Sequence, residues 1–347
     1  MANEKMRAVV KAAPGPGAEL RTVAIPEPGE GEVLVKVKVT SICGSDLHIY
    51  KWNSWAEQHV RPPQIMGHEV AGEIVKLGPG VKSLRIGDFV SAETHIPCGY
   101  CKQCRTGNMH ICKNLKILGV DTNGAFAEYV VIPEVVAWKN DPSIPAEFAS
   151  VQEPLGNAID TVLSEDVAGK TVAVIGAGPI GMLAVGVARI SGASDIFVTD
   201  LNDYRLNIAK KMGATVTLNP NKVDAYQAVM EATRGDGVDV VLEMSGNANA
   251  LIQGCRMLTP GGRISLLGVF DNPVTMEFNN LIIFKAIRVY GITGRKMFST
   301  WEKAGNFLRS KKLDLSPVIT HHLQLAEFEQ GFELMKSGQC GKIVLKV

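Results

Sequence analysis

Four cysteines stand within fifteen residues, as Cys98-x2-Cys101-x2-Cys104-x7-Cys112. Tetrahedral zinc takes four soft ligands at about 2.3 Å, and a loop of this length can wrap one ion with no position left open. Cysteine spacing alone does not separate that reading from an iron–sulfur cluster. A zinc module that reads nucleic acid would also need a recognition helix and a basic face, and the sequence has neither. A second set is Cys43, within Ser41-Ile-Cys-Gly-Ser-Asp-Leu-His48, together with His68 and Glu69. Thiolate, imidazole and carboxylate make three ligands, and a fourth position left to water or substrate is the arrangement of catalytic zinc. By spacing alone, a buried cysteine and a hydrogen-bonded histidine explain this set better.

A third constellation reverses that preference. Thr171-Val-Ala-Val-Ile175 is a β-branched apolar run that turns through Gly176-Ala-Gly178-Pro-Ile-Gly181 into a helical pattern. A second apolar run, 196–199, then ends at Asp200. Strand, glycine-rich turn, helix, strand and acid in that order form the dinucleotide fingerprint in its required context. Gly176 permits the tight turn, Gly178 lets the backbone approach a pyrophosphate, and Gly181 lets helix and strand pack closely. The phosphates sit on the helix N-terminus. Asp200 accepts hydrogen bonds from both hydroxyls of the adenosine ribose and repels a 2′-phosphate, which favours NAD over NADP. Residues 172–188 carry no charge and approach spanning length, but Pro179 and the glycines break a membrane helix there. A nucleotide-dependent oxidation of an alcohol needs something to stabilise an alkoxide, so the Cys43 set gains a purpose.

These residues must be positioned by two kinds of structure. Residues 1–155 read as short strands and turns, with strands at 7–11, 32–40, 70–77, 89–92 and 126–132. Val33, Val35, Val37 and Val39 alternate with Lys36 and Lys38, as in a half-buried antiparallel sheet. From 156 to 296 strands and helices alternate. After the fingerprint come helices at 203–212, 224–233 and 247–257, and strands at 215–218, 238–243, 262–268 and 288–292. Six strands with crossover helices make a doubly wound parallel sheet. Residues 297–347 carry helical patterns at 300–310 and 326–336 and a closing strand at 341–347, which suggests that the chain returns to complete its first domain. The fold class is α/β: a mostly-β domain, 1–155 completed by 297–347, and a Rossmann domain, 156–296.

With 347 residues, 46% of them hydrophobic, the chain is long enough for two cores. A net charge of +1 leaves no electrostatic footprint for nucleic acid or an anionic membrane. MANEKMRAVV shows no apolar signal-peptide region, so a cytoplasmic location is the default. Seven cysteines, four of them bunched, suggest metal rather than disulfides. Cys255 and Cys340 read as packed thiols, and His95 as either a pocket or a surface residue.

Gly67-His68-Glu69 followed by Gly72, the four-cysteine loop, Ile86-Gly-Asp88 and the block at 171–200 resemble the zinc-dependent medium-chain dehydrogenases over essentially the whole chain. The finer resemblance is to members that oxidise L-threonine. It lies in His48-Ile-Tyr-Lys-Trp52, Glu153-Pro-Leu-Gly-Asn157, Thr199-Asp-Leu-Asn-Asp-Tyr-Arg205, Gly294-Arg-Lys-Met-Phe-Ser-Thr-Trp301 and Asp314-Leu-Ser-Pro-Val-Ile-Thr-His321.

The resemblance implies a GroES-like fold for the first domain. It makes Cys43, His68 and Glu69 the ligands of a catalytic zinc, and Cys98, Cys101, Cys104 and Cys112 those of a structural one. Ser45 and His48 form a proton relay through the cofactor ribose, with Ser where close relatives often carry Thr. Glu153 supports the relay or transiently binds the metal. It stands where classical alcohol dehydrogenases carry a cysteine, which points to the polyol and threonine branch. Ile180, Asp200, Arg205, Leu267, Gly268, Val269, Gly291 and Ile292 line the NAD site beside Gly176, Gly178 and Gly181. The implied reaction takes L-threonine to 2-amino-3-oxobutanoate in a cleft between the domains, with a polyol or 2,3-butanediol as the rival substrate. A non-catalytic nucleotide-binding protein is the more distant alternative. The resemblance also implies a homotetramer, formed through the sheet edge near Val289.

Overall fold

The computed structural model describes residues 4–347. The chain divides into two compact units, one of the residues up to Glu153 with Met297–Arg309 and Ile319–Val347, the other of Pro154–Lys296 with Ser310–Val318.

In the first unit the strand Glu32–Ser41 is the hub. Its alternating valines are buried while Lys36 and Lys38 stay in solvent, as expected for a sheet with one covered face. It pairs antiparallel with Glu69–Leu77, Tyr129–Pro133 and Lys342–Lys346. The last of these runs parallel to Ile319–Gln324. Residues more than 270 positions apart are thereby tied side by side, and Ser41 faces Glu69 on one flank and Val344 on the other.

Gly72 shows why this register needs glycine. A Cβ there would lie 2.3 Å from the Lys36 carbonyl oxygen of the hub strand. The expected strands 7–11 and 126–132 form with shifted ends, as Lys5–Lys11 and Tyr129–Pro133.

Among the helices that were not legible are two short ones. Gly44–Lys51 starts after Cys43, whose backbone N–H donates to Asp46 Oδ2 at 2.9 Å. Ser54–His59 starts after Asn53, whose side chain accepts from Ala56 N. Both are too short to show a periodic apolar stripe, so caps rather than hydrophobic pattern mark them.

The second unit is a six-stranded parallel sheet. Numbered along this unit, its strands run 3-2-1-4-5-6: Val216–Leu218, Asp195–Thr199, Thr171–Ile175, Val238–Glu243, Leu258–Leu266, Arg288–Gly291. This is the doubly wound order expected from the sequence, with ligand binding at the carboxyl ends where the order reverses beside Thr171–Ile175. Helix starts obey capping chemistry: Asn202, Asp224 and Asn247 each accept from backbone N–H groups of the first turn.

The apolar stretch 172–188 is divided between the strand Thr171–Ile175 and the helix Pro179–Ile190. No helix among the described residues is long and apolar enough to cross a membrane.

Candidate functional site

The helix Gly44–Lys51 and the turn before Glu69–Leu77 bring Cys43, His68 and Glu69 together, their ligand atoms within 4.8 Å of one another. Gly67 makes the turn with φ +89°, and a Cβ there would strike the Phe126 ring at 2.1 Å. His68 and Glu69 are 5% and 0% exposed. Burial of this kind demands partners.

Glu69 Oε2 accepts from Ser41 Oγ and Lys342 Nζ, while its Oε1 is buried without a hydrogen-bond partner. Lys342, 2% exposed, also donates to the Ile42 carbonyl at 2.9 Å. Burial works against its charge, but Glu69 and Cys43 hold its pKa above the ordinary value.

Asp46 is fully buried, and burial raises its pKa. Its Oδ1 lies 3.7 Å from His68 Nδ1. Burial opposes a charge on His68 as well, yet Asp46 and Cys43 lift that imidazole to about 10. Thiol, imidazole and carboxylate thus converge with one orphaned carboxylate oxygen. That donor set fits a zinc ion, and an outer carboxylate beside the ligating histidine is the usual orienting partner.

Ser45 and His48 lie one turn apart on the helix that Cys43 opens, on the same face by spacing. Ser45 is half-buried and His48 exposed. Glu153, 6% exposed, sits in the first turn of Gln152–Val162 and is close enough for its charge to act on His68 and Lys342. Thr94 Oγ1 donates to the His68 carbonyl at 3.2 Å. His95 next to it meets the buried Glu93 carboxylate at 3.1 Å, and Glu93 also accepts from Trp301 Nε1 at 2.6 Å.

Cys98, Cys101, Cys104 and Cys112 form the second cluster, with Cys101 Sγ 3.5 Å from Cys104 Sγ and 3.8 Å from Cys112 Sγ. All seven cysteines are free. Backbone N–H groups of Cys104 and Lys113 bring Cys101 down to about 6, whereas burial pushes Cys104 up to about 12. Backbone N–H groups of Cys98 and Asn114 each donate to Cys112 Sγ at 3.3 Å. Four sulfurs with N–H donors and no disulfide fit a tetrathiolate zinc site, in which a dication offsets the mutual repulsion of the thiolates.

In the second unit each fingerprint glycine meets a distinct demand. Gly176 has φ +95°. A Cβ on Gly181 would lie 2.0 Å from the Gly176 carbonyl oxygen, so helix and turn touch there. A Cβ on Gly178 would meet nothing within 4 Å; it would project into the open mouth of the site.

Gly176, Gly178, Asp200 and Arg205 line one cavity with Leu201, Asn202, Met244, Ser245 and Asn247. The last five were missed in the sequence, where only their position just past strand ends marks them. Asp200 has a further role: its Oδ2 accepts from Ala177 N at 2.7 Å and its Oδ1 from Asn202 N at 2.8 Å. Each oxygen keeps a second lone pair for a ligand.

Ile180 lies in the first turn of the fingerprint helix. Leu267, Gly268, Val269, Gly291 and Ile292 do not line that cavity. They stand at the carboxyl ends of the next two strands of the same sheet. Gly268 is held against Gly246, since a Cβ there would lie 2.3 Å from Gly246 N.

Comparison with known proteins agrees with this geometry. Residues 29–142 match the alcohol dehydrogenase GroES-like domain and residues 179–310 match the zinc-binding dehydrogenase model. The L-threonine 3-dehydrogenase of Pyrococcus horikoshii is 54% identical over 343 residues, 99% of each chain. Among solved structures, a zinc-binding dehydrogenase from Sinorhizobium meliloti bound to NADP superposes with a TM-score of 0.92 at 30% identity, over 99% of this chain and 100% of that one. The 2R,3R-butanediol dehydrogenase of Bacillus subtilis does so with a TM-score of 0.90 at 27% identity, over 99% of each. With identity this high along nearly the full length, and both domain models matched in order, the protein belongs to the zinc-dependent alcohol dehydrogenase family.

Proposed function

We propose that the protein oxidises the secondary hydroxyl of L-threonine to 2-amino-3-oxobutanoate, using NAD and a zinc ion held by Cys43, His68 and Glu69. The observation that carries this is the helix Gly44–Lys51, which opens at one metal donor and presents Ser45 and His48 one turn apart. The choice of threonine rests on the 54% identity to the Pyrococcus enzyme of that name.

When bound, zinc lowers the pKa of the substrate hydroxyl and NAD accepts the hydride. The residues of the chain do the rest. Asp46 places a buried carboxylate 3.7 Å from His68 Nδ1, and Lys342 with Ser41 fixes one oxygen of Glu69, leaving the other for the metal. Ser45 Oγ accepts the hydroxyl proton as it gives up its own toward His48, which is exposed and can release a proton to solvent. Glu153 adds a carboxylate whose charge reaches His68. The cluster Cys98, Cys101, Cys104 and Cys112 holds a structural zinc.

The second unit serves as the NAD-binding domain, with Gly176, Gly178, Ile180 and Gly181 around the pyrophosphate and Asp200 on the adenosine ribose. Arg205 belongs to the adenosine side, and Leu267, Gly268, Val269, Gly291 and Ile292 to the nicotinamide side. A carboxylate at 200 opposes a 2′-phosphate, so we assign NAD although one structural neighbour binds NADP.

The enzyme acts in the cytoplasm as a homotetramer. The strand Arg288–Gly291 ends the sheet, with no strand pairing its outer side among the described residues; Val289 is exposed on it and Ile283 and Phe284 in the segment before it, a surface suited to a second copy of the chain. Cys43→Ser tests the assignment: turnover disappears and one of two zinc ions per chain is lost, while NAD affinity stays within about twofold. Retention of both zinc ions and of a tenth or more of the activity would remove Cys43 from the site.

A further inference from the structure

We infer that Asn53 is a positioning residue for His48: it holds the neutral imidazole in the tautomer that carries its proton on Nε2. Two contacts carry the argument. Asn53 is the N-cap of Ser54–His59, and its Oδ1 accepts from Ala56 N at 3.0 Å. That cap settles the orientation of the amide, because only the oxygen can accept. Nδ2 then points the other way, and it lies 2.9 Å from His48 Nδ1. An amide nitrogen donates and never accepts, so Nδ1 must offer its lone pair and the single proton of the neutral ring sits on Nε2.

The same short segment contains the opposite case. His59 Nδ1 lies 2.8 Å from the Trp55 carbonyl, which only accepts, so His59 carries its proton on Nδ1. Trp55 stacks on His59 with centroids 4.9 Å apart and meets the His48 ring edge-on at 6.4 Å. Two histidines eleven residues apart, flanking one tryptophan, are thus set in opposite tautomers by the donor or acceptor character of their partners.

For the relay, the consequence rests on the proposed function. A neutral His48 offers its proton at Nε2 and can take another only at Nδ1, where it must first displace the Asn53 amide.

The test reads tautomers directly and needs no turnover, so its failure is distinct from failure of the functional reading. The full-length, zinc-loaded protein is labelled with 15N-histidine and studied by long-range 1H–15N correlation at pH ~8.5, about two units above the ordinary imidazole pKa. His48 and His59 are assigned from His48→Gln and His59→Gln. The expected spectrum has an unprotonated Nδ1 on His48 and a protonated Nδ1 on His59. Asn53→Asp keeps the cap oxygen and turns the Nδ2 donor into an acceptor, so it should exchange the two nitrogens of His48 and leave His59 unchanged. Asn53→Ser keeps a capping hydroxyl but removes the donor, and both tautomers of His48 should then be seen. A protonated Nδ1 on His48 in the wild type, or a His48 tautomer indifferent to both substitutions, would overturn the assignment.

Discussion

Replacing Lys342 with Met probes how the first metal cluster is held. Lys342 is 2% exposed and Glu69 0%, and the ammonium is one of two donors to Glu69 Oε2, the other being Ser41 Oγ. Methionine has a similar volume, so packing changes little; what is left is a buried carboxylate with one oxygen already unpartnered. Removing one member of a buried ion pair costs about 3–5 kcal/mol. For a unit of about 200 residues, each kcal/mol lowers Tm by roughly 2–4 °C, so the metal-free variant should melt roughly 6–20 °C below the metal-free wild type.

Zinc gives the orphaned carboxylate a new counter-charge, so the gap should narrow in the zinc-loaded proteins. Glu69→Gln combined with Lys342→Met removes the uncompensated charge and should recover part of the loss. Calorimetry on wild type, Lys342→Met and the double variant, with and without zinc, reads all of these numbers. A Lys342→Met melting point within about 2 °C of wild type, with no help from the second substitution, would refute the claim that this ion pair braces the site.

Other outcomes follow from the same geometry. Cys101→Ser should lower Tm and cut the zinc content from two ions to one per chain, because a closed tetrathiolate site contributes to folding; unchanged melting with abolished chemistry would contradict a structural role. Asp200→Gly removes a charge and two acceptors, each charge-assisted bond being worth about 1.5–3 kcal/mol, so the NAD/NADP preference measured by kcat/KM should fall tens- to hundreds-fold. Because Ala177 N and Asn202 N lose their acceptor as well, that variant should also melt lower. Glu165 accepts from Arg288 and Tyr290, which pull its carboxyl down to about 2. A depressed carboxylate stabilises the fold above its unfolded value and loses that contribution as pH falls from about 5 toward 2, so Glu165→Gln should flatten the acid limb of a Tm-against-pH curve.

Much of the nucleotide half was legible because its determinants are local. Gly176 and Gly181 answer to backbone demands within six residues, and Asn202, Asp224 and Asn247 announce helix starts through side-chain chemistry. The tetrathiolate loop was legible for the same reason. The surroundings of the other metal cluster were not. Lys342 reaches Glu69 across 273 positions of sequence and the Ile42 carbonyl across 300, and nothing in Lys342-Ile-Val-Leu-Lys346 marks that lysine for burial. Asp46 left one faint sign, its place three residues after Cys43, where a capping carboxylate is expected; cysteine is a weak N-cap, so the helix it opens went unread. Asn53 was overlooked because its two duties, capping one helix and turning toward a histidine of another, are visible only together.

The central claim is most directly tested by substrate competition. The zinc-loaded enzyme is given L-threonine, 2R,3R-butanediol and sorbitol side by side, and NAD reduction is followed to obtain kcat/KM for each. Metal and proton-transfer residues serve all three alcohols alike, so preference has to come from groups that pair with an ammonium and a carboxylate, and sites built for such groups reject analogues lacking them by large factors. L-Threonine should be favoured by at least a hundredfold, with activity lost on chelation and restored by zinc. Butanediol or sorbitol turning over faster than threonine would contradict the account.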